Sequence, residues 1–117
     1  MKKLLAPLAV IVGLLAGIVD ARAYTADEER LFALNLYHEA RSGGRTGMTA
    51  VGHLVLNRVK DKGFPNSITE VIQQGGPTPP CQWGWTCDPR KDEPVEGKHW
   101  ETAQAVTKQL LGADPGK

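Results

Sequence analysis

The 117-residue chain lacks any long block of like charge, and its formal net charge is only +1. Nucleic-acid binding driven by phosphate contacts needs a basic face or stripe, so no nucleic-acid partner is expected. No Gly-x-Ser-x-Gly elbow and no phosphate-cradling glycine loop occurs, which argues against serine hydrolase and nucleotide chemistry. His38-Glu39 is not followed by a histidine four residues later, because Ser42 stands there, so the helical zinc-protease motif fails. A spatial cluster of His38, His53 and His99 is the weaker metal alternative; no metal and no cofactor are expected. Internal repeats and low-complexity tracts are absent too, which removes solenoid and linker readings. Cysteine is scarce: Cys81 and Cys87 are the whole complement.

What is present begins with a leader. Lys2 and Lys3 precede an apolar run from Leu4 to Val19, and Ala21-Arg22-Ala23 offers small residues where a signal peptidase reads. The run is short for a membrane span, so residues 1–23 read as a cleaved secretion signal, with an uncleaved anchor as the alternative. The remainder, residues 24–117, is 94 residues long and forms one domain. The leader carries Lys2, Lys3 and Arg22 against Asp20, a net +2, which leaves the domain at −1. The protein is therefore expected outside the cytoplasm, in the periplasm, the cell wall or the medium, with no stable anchor after cleavage. In an oxidising compartment Cys81 and Cys87 are more simply a disulfide than a pair of thiols. A domain of this size has a thin core, and closing so short a loop is worth about 2 kcal/mol. A metal site using both cysteines is the alternative, against which the spacing argues.

Thr25-Ala26-Asp27-Glu28 is a capping box, predicting a helix from about Ala26 to Ala40 or Arg41. Ala33, Leu36, Tyr37 and Ala40 share one face, widened by Phe32 and Leu34, so the helix should be central and mostly buried. Glycines 43, 44 and 47 break the pattern, and Thr46 is the expected cap of a second helix to about Lys60. Its buried stripe would be Met48, Val51, Leu54, Val55 and Val59. Gly63-Phe64-Pro65-Asn66 is turn chemistry, and Ser67-Ile68-Thr69-Glu70 is a second capping box opening a short helix to about Gln73. From Gly75 to Pro94 the composition turns irregular, and a last helix is expected from about Glu96 to Leu111, stopping at Gly112.

Two places could carry chemistry. Glu39 falls at the border of the apolar arc, about 20° from Phe32 on the wheel. Partial drying and the negative end of the helix dipole would both disfavour its charged form, giving a carboxyl suited to general-acid work. A plain helix-end glutamate paired with Arg41 or Arg45 is equally compatible. The second place is CQWGWTCD, residues 81–88. If that stretch is extended, Trp83 and Trp85 project to one face and make a platform on which a sugar ring can stack, with Gln82 serving hydroxyls and amides. Tryptophans plugging a small core are the other reading.

The stretch LNLYHEARSGGRTGMTAVGHLVLNRVKDKGFPNSITEVI followed by CQWGWTCD resembles the SleB-type cell-wall hydrolases, the spore-cortex-lytic enzymes and their relatives. The resemblance runs from about Leu31 to Leu111. It implies a mainly helical, lysozyme-like α+β catalytic domain acting on peptidoglycan, with Glu39, in the family's Tyr-x-Glu-x-Arg position, as catalytic acid. It further implies cleavage between N-acetylmuramic acid and N-acetylglucosamine in the manner of lytic transglycosylases, where the substrate's own 6-hydroxyl attacks and one carboxylate suffices. Gly44 stands where relatives often carry another glutamate. Relatives also continue beyond the last helix, which leaves C-terminal truncation open. The alternatives are hydrolysis by two carboxylates, Glu39 and Asp88, a wall-binding module without turnover, and a zinc amidase. Oligomeric state is not legible.

Overall fold

A computed structural model describes residues 24–76, 79–89 and 96–112. The leader expected at residues 1–23 and the C-terminal end from residue 113 lie outside these. The described residues form α-helices and 3₁₀ turns, and no strand occurs among them. The fold is mainly α, compatible with a lysozyme-like domain.

Helix α1 spans Ala26–Ala40. Its start is fixed by the expected capping box: Thr25 Oγ1 accepts from the Glu28 backbone N–H at 3.0 Å, and the Thr25 N–H donates to Glu28 Oε1 at 3.0 Å. Two of the amide groups left open at every helix start are thereby satisfied. From Phe32 to Tyr37 every residue is buried, so over this stretch the helix is wrapped on all sides. It packs against α2 (Gly44–Lys60), α3 (Ile68–Ile72) and α4 (Lys98–Leu111), while α2 and α4 also pack on each other. The central, buried helix read from the apolar arc is therefore present, and Met48, Val55, Ile68, Val71, Ile72 and Val106 join its Phe32 and Leu36 in one core.

The join between α1 and α2 differs from expectation. The glycines do not open a loop capped by Thr46. A single 3₁₀ turn, Arg41–Gly43, links the helices directly, and α2 begins at Gly44 with no side-chain cap. The chain reverses there through Gly44, whose φ of 64° lies in the left-handed region that side-chain-bearing residues populate only with strain. Along α2, Met48, Gly52 and Val55 are buried, Val51 and Val59 are partly covered, and Leu54 is 41% exposed. The buried stripe thus runs through Gly52 and not Leu54. A Cβ at position 52 would crowd Phe32 and Leu110, so the missing side chain is what lets α2 lie close to α1 and α4.

Ser67 caps α3, accepting from the Glu70 N–H at 3.2 Å. Helix α4 starts at Lys98, two residues later than expected, and ends at Gly112 with φ 73° and ψ 54°. Between α3 and α4, Cys81 and Cys87 form the expected disulfide. The segment they bracket is not extended: Gly84–Cys87 is a 3₁₀ turn that packs against α1.

Candidate active site

Glu39 sits in the last turn of α1. Among residues 32–40 it is the one exposed position, with His38 half-buried beside it. The drying expected from the wheel is therefore absent in the unliganded chain. The wheel gives direction round the helix axis and says nothing about where along the axis the covering ends. Phe32, on nearly the same side two turns earlier, is fully buried; at Glu39 the helix has reached the surface. The carboxylate remains at the C-terminal end of a helix, where the dipole opposes an anion.

The neighbourhood of Glu39 is held by the disulfide-bracketed turn. Trp85 stacks on His38, with ring centroids 4.8 Å apart and planes at 27°. Its indole N–H donates to Asn35 Oδ1 at 2.7 Å. Asn35, one turn before Glu39 on the same side of α1, is completely buried, and its Nδ2 has no hydrogen-bond partner. Tyr37 meets His38 edge-on at 5.1 Å and Trp100 edge-on at 6.0 Å. Aromatic contacts of this kind restrict ring motion and add to the area they bury, so the last turn of α1 is clamped between Trp85 and Trp100.

The tryptophan platform is not formed. Trp83 is 6% exposed and Trp85 7%. The 3₁₀ turn points both rings inward to separate partners: Trp83 lies under the Arg58 guanidinium at 5.4 Å, with its N–H towards the Val71 carbonyl at 3.4 Å, and Trp85 has the partners given above. In a domain with so little core, two rings of this size are worth more inside than displayed. Of the three residues expected to grip a glycan, Gln82 alone is exposed, its backbone N–H tied to the Gln74 carbonyl at 2.9 Å. Asp88, the alternative second carboxylate, is half-buried just after the turn.

The most accessible tryptophan is Trp100, half-buried on α4. It lines a groove of about 550 Å³ with Arg30, Ala33, Gln104 and Thr107, and the Arg30 guanidinium lies 5.8 Å from its ring centroid. Sequence reasoning missed it because a lone tryptophan in an amphipathic helix carries no local signal. His38, His53 and His99 sit on three different helices. Among the described residues no three histidine, cysteine or acidic side chains gather as metal ligands would, and no helix is long and apolar enough to cross a membrane.

This is a small, disulfide-pinned helical domain that brings the Glu39 carboxylate to the surface at the end of its buried helix. The family model for Cell Wall Hydrolase matches residues 42–116, and the chain belongs to that family. The matched stretch begins three residues after Glu39 and includes the CQWGWTCD turn. Comparison with curated proteins and with solved structures returns no match. At Gly44 the positive φ would put any side chain under strain, so the direct α1–α2 join favours glycine there.

Proposed function

We propose that the protein cleaves the glycan strand of peptidoglycan between N-acetylmuramic acid and N-acetylglucosamine, as a SleB-type lytic transglycosylase with Glu39 as its acid and base. The observation that carries this reading is the emergence of Glu39 alone from an otherwise enclosed stretch of α1, next to side chains that fix its turn, in a chain of the Cell Wall Hydrolase family. A glycan strand laid over the end of α1 would supply the water exclusion that the free chain lacks at this carboxyl. Desolvation then favours the protonated acid. Glu39 donates that proton to the glycosidic oxygen as the bond to the muramic C1 breaks. The resulting carboxylate takes the proton of the muramic 6-hydroxyl, whose oxygen closes on C1 to give the anhydro ring. One group serves both steps in turn, and no other carboxylate is needed for the attack.

The burial of Trp83 and Trp85 counts against a turnover-free wall-binding module, since the rings such a module would display are in the core. The disulfide fits a domain that works outside the cytoplasm, in the periplasm or at the wall. The test is solubilisation of purified sacculi by the full chain and by Glu39→Gln, which keeps size and polarity. Loss of a general acid costs about 10²–10⁴ in rate. A Glu39→Gln protein that clears sacculi at the parent's rate refutes the assignment.

A further inference from the structure

Where α1 gives way to the Arg41–Gly43 turn lies a depression of about 390 Å³ lined by Tyr37, Arg41, Ser42, Glu96, Lys98 and His99. Resting on the wall-substrate reading above, we propose that it binds a carboxylate of the acidic stem peptide that peptidoglycan carries on its muramic sugars. Three observations support this. First, among the described residues the lining holds two permanent cations, Arg41 and Lys98, and a histidine against one carboxylate, Glu96, so these side chains favour an anion. Second, Arg41 is held in place: its Nη1 donates to the Tyr37 hydroxyl at 3.2 Å, and its guanidinium carbon lies 5.3 Å from the Tyr37 ring centroid. Tyr37 is itself 3% exposed and braced by Trp100. A guanidinium seated on a buried ring loses less freedom on binding than a loose surface arginine, and its fork of N–H groups matches a carboxylate.

Third, the distance can be spanned. Tyr37 and Glu39 are two residues apart, roughly 200° round the helix, so these two side chains leave opposite sides of a rod about 10–12 Å wide. The rod ends at Ala40. An extended peptide covers at most about 3.3–3.6 Å per residue, so one of four or five residues hanging from a sugar at Glu39 reaches round that end to Arg41.

The test is sedimentation binding of the full chain carrying Glu39→Gln, which prevents cutting during the assay. The two probes are sacculi freed of phosphate polymers and the same glycan strands stripped of their peptides by an amidase. Peptide-bearing strands are expected to bind about three- to tenfold more tightly at low salt, a preference that falls as salt rises. Adding Arg41→Gln or Lys98→Gln brings the ratio towards one. Lys98 is exposed on the first turn of α4, so its variant tests the site even if Arg41→Gln disturbs the fold. Equal binding of both probes by the parent, or an unchanged ratio in the variants, overturns the proposal. Cleavage of sacculi by the native chain is scored separately. Normal cleavage with a ratio of one sinks this site alone, whereas an intact ratio without released fragments leaves the site standing and sinks the glycosidase.

Discussion

Replacing Trp85 with phenylalanine separates a core residue from a sugar platform. The substitution keeps an aromatic ring near His38 and removes the N–H that reaches Asn35 at 2.7 Å. Asn35 is fully buried and its Nδ2 already lacks a partner, so the variant leaves the whole amide unsatisfied, a cost of about 1–3 kcal/mol. The smaller ring adds on the order of 1 kcal/mol for the space it vacates. The expected loss of roughly 2–4 kcal/mol is a large share of the 5–15 kcal/mol typical of a whole domain. It should appear in urea unfolding as a lower midpoint at unchanged slope. Adding Asn35→Leu should return part of the loss, because removing both polar partners costs less than orphaning one. A Trp85→Phe protein with the parent's midpoint and weakened binding to glycan strands would refute the reasoning and restore the platform.

Changing both Cys81 and Cys87 to serine should cost about 2 kcal/mol, the chain-entropy value for so short a loop, read as a lower urea midpoint under conditions that leave the parent's disulfide intact. Gly75 has φ 82°, and a Cβ there would lie 2.6 Å from the Pro80 carbonyl oxygen and 3.1 Å from the Cys81 Cα. Gly75→Ala should therefore destabilise by about 1–3 kcal/mol, seen calorimetrically as a melting point lower by at least about 4 °C. An unchanged melting point would mean that the backbone turns differently at this glycine.

The helical order of the chain was legible because its signals are local. The Thr25 capping box and the Ser67 cap set the starts of α1 and α3, and the apolar arc from Phe32 to Ala40 marked the central helix. The disulfide followed from composition and compartment. Three features were not legible, each because it depends on neighbours distant in sequence. The α1–α2 join looked like a glycine loop, and only the packing of both helices on α4 shows why the reversal takes one 3₁₀ turn through Gly44. An extended 81–88 stretch would display Trp83 and Trp85, whereas Val71, Arg58 and Asn35 supply inward partners that no sequence window contains. The wheel gives Glu39 a direction round α1 and no depth, and the structure leaves it exposed, since depth is a property of what packs on the helix.

The most direct test of the central claim is the mass of the fragments released from purified sacculi by the native chain. Attack by the muramic 6-hydroxyl yields anhydro-muramic ends, one water lighter than the reducing ends that hydrolysis leaves. The account predicts anhydro ends from the native protein and none from Glu39→Gln. Reducing muramic ends would contradict the single-carboxylate mechanism and direct attention to Asp88 as a second carboxylate, and equal fragment release by Glu39→Gln would remove Glu39 from the chemistry.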